Sequence, residues 1–357
     1  MNHLEPGRWA LRTFIALTLL ALYCLRFLPA VPQAGSAAGN GNTPQRIILG
    51  WRGDPSTSQA VTWRTECMVS SPQGQVAPLA ANPDFEKSAT NAKAAATEIR
   101  TGPGKTVAHY MVDFQGLRPG SRYCYRVGDG KTWSEWNIFR TADQKQAPFR
   151  FIYLGDAQNG IRSLWSRTIR SAYAAAPDAR FVAMAGDLLA EGYDDSLWRE
   201  FCDGMGFIPR MVPLVPAPGN HDLHRPPDSA NPGKTVLDVS PLWHAHFALP
   251  TNGPQGVPEL RGEAYYVDYQ GLRVISLDAN PYANEDFSKD DVTRISQQQI
   301  AWLRGVLAHN PNRWTVVLQH QTLFSIAKDR DYAEMRAALL PVYDEYHVDL
   351  VLQGHDH

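Results

Sequence analysis

The distribution of apolar and polar positions divides the chain into two parts with different periodicities. Between residues 46 and 142, short segments alternate apolar and polar residues, and turn pairs such as Pro119-Gly120 and Asp129-Gly130 lie between them. Alternation with period two is typical of half-buried strands. We therefore predict an all-β domain over residues 46–142, built as a small antiparallel sandwich, with a long loop over residues 77–96, where no pattern is visible.

Residues 148–357 alternate apolar runs with helical patterns, which predicts an α/β domain. Five runs are apolar almost throughout, as expected for strands that are buried on both faces. These runs are residues 149–154, 181–185, 211–215, 314–318 and 348–352. A hairpin of a second sheet is predicted from residues 265–269 and 272–277, joined at Gln270-Gly271.

Three helices are predicted between these runs. The first covers residues 164–176, and the second starts at Ser296, which is placed to form a capping box with Gln299. The third starts at Asp331, and Pro341 is expected to kink it. Helices that alternate with buried strands indicate sheets covered by helices.

Each apolar run ends on side chains that can bind metal ions. In chain order they are Asp156, Asp187, Asn220 with His221, His320, and His355 with His357. One such end is weak evidence, because Asn and Asp are common turn residues. In open α/β sheets, however, ligands bind beyond the carboxyl ends of the strands. The repetition at five strand ends therefore predicts one site to which all five contribute.

The composition is that of an ordinary globular protein. The chain has 357 residues, 44% of them hydrophobic, and a formal net charge of −2 at pH 7. This length is enough for two domains with separate cores. Nothing in the chain is basic enough to follow a phosphate backbone, so nucleic acid is not expected as a partner.

The N-terminal segment predicts export. Two arginines precede the apolar residues 13–25, and a stretch of small residues follows at 34–38. We interpret residues 1–38 as a signal peptide or signal anchor, and residues 39–45 as a linker. The protein is then secreted or periplasmic, or is anchored to the membrane if the segment is not cleaved. In an oxidising compartment, Cys67 and Cys124 could form a disulfide, although the sequence leaves this open.

The ordered motifs at the strand ends resemble those of the calcineurin-like metallophosphoesterases. They are G-D-A-Q from Gly155, G-D from Gly186, G-N-H-D from Gly219, the single His320, and G-H-D-H from Gly354. Residues 116–125, GLRPGSRYCY, are similar to a turn of fibronectin type III-like modules. A module of this kind ahead of such a domain is similar to the purple acid phosphatases.

The resemblance implies a fold for residues 148–357. The family is built as an α/β (α+β) metallophosphoesterase fold, in which a two-sheet β-sandwich is flanked by helices. The family also continues beyond the motif that ends at His357 with further strands of the second sheet. We therefore expect this domain to be C-terminally incomplete.

The resemblance also implies a dinuclear metal site, in which Asp187 is the ligand shared by both ions. The remaining ligands are Asp156 and His357 for the first ion, and Asn220, His320 and His355 for the second. This mixture of nitrogen and oxygen ligands favours Fe, Mn or Zn over Ca or Mg. By the same resemblance, His221 protonates the leaving oxygen or stabilises charge on the phosphoryl group.

Two positions depart from the family pattern. Gln158 stands where many relatives carry His, and Ala190 stands where purple acid phosphatases carry the Tyr that gives their ferric-tyrosinate colour. Further candidates beside the metal ligands are Gln158, Tyr193 and Asp222, and candidates for holding substrate oxygens are Lys328 and Arg330.

These features predict a metal-dependent phosphoesterase of the acid phosphatase type. Its substrates would be small phosphomonoesters, attacked by a metal-activated water. Two alternatives stay open at this point. A phosphodiesterase or nucleotide hydrolase uses the same residues, and a binding protein without turnover keeps the same fold.

Overall fold

A computed structural model describes residues 41–223, 238–283, 287–328 and 330–357. The predicted signal segment, residues 1–38, lies outside these residues. Within them, no helix combines the length and hydropathy that crossing a membrane requires.

The first part of the described chain folds into two antiparallel sheets. Its strands are β1 (Gln45–Gly50), β2 (Gln59–Thr65), β3 (Gln73–Pro78), β4 (Thr90–Lys93), β5 (Ala95–Gly102), β6 (Lys105–Phe114), β7 (Arg122–Gly128) and β8 (Asn137–Arg140). One sheet has the order β1-β2-β6-β5 and the other β4-β3-β7-β8. Trp63 and Tyr110 of the first sheet share one apolar core with Tyr125 and Phe139 of the second. The predicted antiparallel sandwich is confirmed.

The predicted loop over residues 77–96 is wrong. The segment contains a short 3₁₀ helix, Pro83–Ser88, and the strand β4, and β5 begins at Ala95. β4 pairs with β3 at the edge of its sheet, and its side chains are largely exposed. Because Ala92 is the one residue of β4 that packs against the core, no apolar alternation marks the strand in the sequence.

The second part of the described chain contains two further sheets and five α-helices. Its strands are β9 (Ile152–Leu154), β10 (Val182–Ala185), β11 (Leu214–Ala217), β12 (Tyr265–Tyr269), β13 (Leu272–Ser276), β14 (Trp314–Leu318) and β15 (Leu350–Leu352). The helices are α1 (Ser166–Ala175), α2 (Asp195–Met205), α3 (Pro241–His246), α4 (Lys289–Ala308) and α5 (Ala333–Glu345).

The five apolar runs overlap β9, β10, β11, β14 and β15, which have parallel neighbours in two sheets that pack together. One sheet has the order β11-β10-β9 and the other β12-β13-β14-β15. A continuous core joins α1 and α2 to residues of both sheets, for example Ile169, Met184 and Leu318. A second core joins Val317 of β14 to α4 and α5. The predicted two-sheet sandwich flanked by helices is confirmed, as is the β12–β13 hairpin.

The predicted start of α4 is wrong by two turns. The helix begins at Lys289, and the side chain of Ser288 accepts a hydrogen bond from the amide of Asp291. Ser296 and Gln299 therefore lie inside the helix, where both are buried. Gln299 donates from Nε2 to the carbonyl of Asp278, so tertiary contacts rather than capping account for its position. In α5, Pro341 lies inside the helix, as expected.

The all-β part is attached to the α/β part by a buried ionic cluster. Nη1 of Arg46 and Nη1 of Arg64 lie 2.7 and 2.8 Å from Oδ1 of Asp195 in α2. Two arginines thus share one carboxylate away from solvent. Cys67 and Cys124, which the sequence left as a candidate disulfide, are both free thiols.

Candidate metal centre

The carboxyl ends of the parallel strands of both sheets meet at one edge of the molecule. Nδ1 of His320, after β14, donates to the carbonyl oxygen of Ala185 at the end of β10, at 2.7 Å. The amide of Gly354, after β15, donates to the carbonyl of His320 at 3.0 Å. The first bond ties the two sheets together, and the second joins the ends of β14 and β15 within one sheet, at the strand ends that carry the candidate ligands.

Two glycines permit this close approach. A Cβ atom on Gly354 would lie 2.5 Å from the carbonyl oxygen of Ala185 and 2.8 Å from Oδ2 of Asp156. A Cβ atom on Gly219 would lie 2.2 Å from Oδ1 of Asp187. Real Cβ atoms do not come so close to other atoms, so these positions accept only glycine while the site keeps its shape.

Three ligand atoms converge in the buried centre of the site. Asp187, His320 and His355 each place one ligand atom within 4.8 Å of the other two. Nε2 of His320 lies 3.1 Å from Oδ2 of Asp187 and 3.1 Å from Nδ1 of His355. Since Nδ1 of His320 carries the hydrogen donated to Ala185, its Nε2 presents a lone pair unless the ring is protonated. Without a metal ion a proton can bridge Nε2 of His320 and Oδ2 of Asp187, and a cation bound there would take the place of that proton.

The pKa values of these groups follow from the same crowding. Burial opposes the charge on Asp187, but the hydrogen bond with His320, the charge of His320 and the His221 amide together outweigh burial and lower the Asp187 pKa. Burial likewise opposes charge on His320, and Asp187 reverses that effect and raises the His320 pKa. Burial, together with His320 and Arg330, lowers the pKa of His355 to about 4. His355 is therefore neutral near pH 7, which is the state in which imidazole binds metals.

Two buried oxygen atoms next to this centre also fit a metal ion. Oδ1 of Asn220 and Oε1 of Gln158 are both buried and have no hydrogen-bond partner among the described residues. Leaving a buried polar oxygen unpaired costs about 1–3 kcal/mol, and a cation bound to the oxygen would remove that cost. The donor set of carboxylate, imidazole and amide groups fits the borderline cations Fe, Mn and Zn.

A second pair of candidate ligands lies beside the first group. Nε2 of His357 is 3.6 Å from Oδ1 of Asp156 and 3.3 Å from Nε2 of Gln158. The amide of His355 donates to both carboxylate oxygens of Asp156, at 2.9 and 3.0 Å. The His357 side chain is 47% exposed, so this end of the site faces solvent while Asp187 and His320 do not.

The backbone is in the left-handed region at three of these positions. Asp156, Asp187 and His355 have φ values of 53°, 51° and 72°. Residues other than Gly adopt this region at an energetic cost, and such residues cluster at functional sites. The strain is held by the bonds around each residue, such as the 3.0 Å bond from the Asp156 amide to the Gly186 carbonyl.

His221 lies at the rim of the centre and is held at both its backbone and its ring. Its amide donates to Oδ1 of Asp187 at 2.9 Å, and its Nδ1 lies 2.8 Å from the carbonyl oxygen of Ala190. A carbonyl only accepts, so Nδ1 carries hydrogen, and Nε2 is the nitrogen left to exchange a proton.

Asp222 lies behind the metal ligands and braces them. Its buried carboxylate accepts hydrogen bonds from the amides of Asp187, Leu188 and Gly219, at 2.8, 3.1 and 2.8 Å. Burial and the charge of Asp187 raise the Asp222 pKa to about 8, and the amides of Gly219 and Leu188 oppose this shift. Asp222 thus connects the β10 end with the β11 end.

The remaining sequence candidates lie at or near the surface. Tyr193 lies in the turn before α2 and is 36% exposed. Lys328 is exposed as well. Nη1 of Arg330 contacts the carbonyl oxygen of His355 and lies 3.3 Å from Oδ1 of Asp356, so it binds the loop that carries two ligands.

Sequence reasoning missed two residues that contact this loop. The hydroxyl of Tyr332 lies 2.7 Å from Nε2 of His355, and Oγ of Ser325 donates to Oδ2 of Asp356 at 2.6 Å. Both lie between β14 and α5, in a segment with no apolar periodicity. Their position after His320 was the only signal in the sequence, and in that segment only the cationic residues Lys328 and Arg330 were considered as candidates.

Comparisons of the sequence with protein families match nearly all of the described chain. The sequence model of calcineurin-like phosphoesterases matches residues 149–357. The sequence model of the purple acid phosphatase N-terminal domain matches residues 44–141.

Curated relatives are of moderate identity. Uncharacterized proteins from two strains of Mycobacterium tuberculosis are each 29% identical over 336 residues, which is 85% of this chain and 59% of the relative. Purple acid phosphatase 17 of Arabidopsis thaliana is 28% identical over 105 residues, 26% of this chain and 31% of that protein. The chain therefore spans less than two thirds of the mycobacterial relatives that it matches.

Solved structures share the fold. A purple acid phosphatase from yellow lupin (Lupinus luteus) seeds matches with a TM-score of 0.67 and 19% identity, covering 88% of this chain and 58% of that chain. PhoD matches with a TM-score of 0.53 and 13% identity, covering 87% of this chain and 71% of that chain.

Proposed function

This chain belongs to the calcineurin-like phosphoesterases, and from that premise we propose that it hydrolyses small phosphomonoesters at a dinuclear metal centre. Asp187 would be shared by the two ions. The other ligands would be Asp156 and His357 for one ion, and Asn220, His320 and His355 for the other. When bound, such ions neutralise phosphoryl charge and lower the pKa of a water molecule so that it can attack phosphorus.

The observation that carries this proposal is the convergence of Asp187, His320 and His355. Their ligand atoms lie within 4.8 Å of one another in a buried position. Burying a carboxylate and two imidazoles together costs desolvation energy, which packing alone does not repay. The arrangement is therefore better explained by a cation than by packing.

His221 is proposed as the general acid. The Ala190 carbonyl holds its Nδ1–H, so Nε2 is the atom that can give a proton to the leaving oxygen. Its amide is bonded to Asp187, which keeps the ring close to the proposed shared ligand. Positioned proton transfer of this kind contributes roughly 10²–10⁴-fold to rate.

The test combines metal analysis with a panel of esters. The purified protein is loaded with Fe, Mn or Zn, its metal content is measured, and it is assayed with 4-nitrophenyl phosphate, an alkyl phosphate, bis(4-nitrophenyl) phosphate and ATP. We expect two ions per chain and highest kcat/KM for the monoesters. Preference for the diester or for ATP would replace the monoesterase proposal. Two bound ions without any turnover would favour a binding protein.

Export and domain organisation are part of the proposal. The arginines and apolar run before residue 26 support a signal segment at 1–38 and a secreted or periplasmic location, with membrane anchoring as the alternative. The two matched family models support separate domains over residues 46–142 and 148–357. N-terminal sequencing of the protein isolated from its host cells separates cleavage from anchoring.

A further inference from the structure

The ring of Tyr332 contacts a candidate metal ligand from outside the centre. Its hydroxyl oxygen lies 2.7 Å from Nε2 of His355, and the ring centroids are 5.7 Å apart. Tyr332 is the residue immediately before α5, whereas His355 follows β15. The contact therefore joins the start of α5 to the loop after β15, and the relative position of these two elements depends on the tertiary fold.

The hydrogen bond bears on which nitrogen of His355 can bind a cation. Nδ1 of His355 points into the centre, at 3.1 Å from Nε2 of His320. A neutral imidazole offers a lone pair at Nδ1 only when its hydrogen is on Nε2. The tyrosine oxygen can accept that hydrogen, which leaves Nδ1 free to bind.

We propose that Tyr332 is a positioning residue for the metal centre, because its oxygen accepts the Nε2–H of His355 and so holds the ring in the tautomer and orientation that present Nδ1 to a cation. This inference rests on the proposed function, since it needs a metal at that place. Tyr332 acts through His355 and does not contact the substrate in this proposal.

The surroundings of His355 show that this loop needs support. His355 is in the left-handed region, with a φ of 72°. Arg330 contacts its carbonyl oxygen, and Ser325 and Arg330 bind the carboxylate of the next residue, Asp356. These bonds hold the carbonyl group of His355 and the side chain of Asp356. Tyr332 is the residue of this segment whose hydrogen bond reaches the imidazole itself.

The variant Tyr332→Phe tests the inference, because it removes the hydroxyl and keeps the ring. Zn²⁺ or Mn²⁺ is titrated into the metal-free protein in competition with a chromophoric chelator. We expect the parent to bind two ions, and the variant to bind one of the two about 10- to 100-fold more weakly. The affinity of the other ion should change by less than about threefold, since the bonds to Asp156 remain.

Tyr125→Phe is the matched control. The Tyr125 hydroxyl makes a bond of similar length, 2.8 Å, to the carbonyl of Arg210 in another part of the molecule. Both variants are expected to lose some thermal stability without metal. Only Tyr332→Phe should also lose part of the stabilisation that the metal adds.

The outcomes separate the two proposals. A parent that binds no metal overturns the proposed function and the inference with it. A parent that binds two ions with the same affinities as Tyr332→Phe overturns the inference alone. The inference is also overturned if Tyr332→Phe unfolds at a lower temperature but metal raises its unfolding temperature as much as it does for the parent. The tyrosine would then stabilise the fold without positioning a ligand.

Discussion

Nε2 of His320 lies 3.1 Å from Oδ2 of Asp187, and neither side chain is more than 2% exposed. The two residues come from different sheets. The opposite ring nitrogen of His320 is held by Ala185, and the other oxygen of Asp187 accepts the His221 amide. Neither side chain can turn away without breaking one of these hydrogen bonds, so the pair is preorganised for a shared positive charge.

Removing the carboxylate of Asp187 should abolish both metal binding and hydrolysis. In Asp187→Ala two cations would face each other without a shared ligand, and the His221 amide would lose its acceptor. Metal content by elemental analysis and turnover of 4-nitrophenyl phosphate are the measurements. Asp203→Ala, at an exposed carboxylate paired with Arg162, is the control. An Asp187→Ala protein that still held two ions would contradict the shared-ligand role.

Removing the His221 ring should leave both ions bound and slow the reaction. We expect kcat of His221→Ala to fall roughly 10²–10⁴-fold for an alkyl phosphate. The loss should be smaller for 4-nitrophenyl phosphate, whose leaving group needs no proton. His309→Ala, on an exposed histidine at the end of α4, should behave like the parent. Equal losses for both esters would show that His221 does not donate the proton.

Disrupting the buried ionic cluster of Arg46, Arg64 and Asp195 should lower the free energy of unfolding far more than disrupting a surface ion pair does. Asp195→Asn removes the carboxylate that Arg46 and Arg64, 4% and 0% exposed, share, although Arg64 keeps its 2.7 Å pair with the more exposed Glu66. Breaking a buried pair in this way costs about 3–5 kcal/mol of unfolding free energy. Asp203→Asn breaks the exposed pair with Arg162 and should cost about 0–1 kcal/mol. Urea unfolding of the three proteins gives the comparison, and equal losses would mean that solvent reaches the junction.

The raised pKa of Asp278 predicts that the stability of the protein depends on pH. Burial raises its pKa from 3.8 to about 6, against the hydrogen bonds from Asn280 and a hydrogen bond with Glu263, while the charge of Asp238 adds to the rise. The folded state therefore holds a proton that the unfolded state releases. This stabilisation is complete below about pH 4 and is lost as the pH rises through about 6.

Asp278→Asn should remove that dependence. Its amide oxygen can still accept the Asn280 amide, which lies 3.0 Å from Oδ1 in the parent. We expect the unfolding free energy of the variant, relative to the parent, to rise by up to about 3 kcal/mol between pH 4 and pH 7.5. Urea unfolding at the two pH values measures it. Parallel pH profiles for the two proteins would show that Asp278 is ionised throughout.

The sequence by itself determined where the core strands lie along the chain and the chemistry at their ends. Runs such as residues 314–318 are apolar because both faces of a central strand are buried, and that burial is visible locally. The same use of local patterns gave wrong predictions for β4 and for the start of α4. β4 is an exposed edge strand without an apolar pattern, and Ser296 and Gln299 are polar residues that α4 buries against other parts of the fold.

Only the tertiary structure decided how the candidate ligands are oriented. The bonds from His320 to Ala185, from Asp222 to the amides near Asp187, and from Tyr332 to His355 join residues 135, 35 and 23 positions apart. No periodicity along the chain encodes such pairs, because each depends on where packing brings two separate elements. The tautomer of His355 and the support that Asp222 gives to Asp187 are therefore properties of the folded site, whereas the candidate metal ligands themselves are readable from the chain.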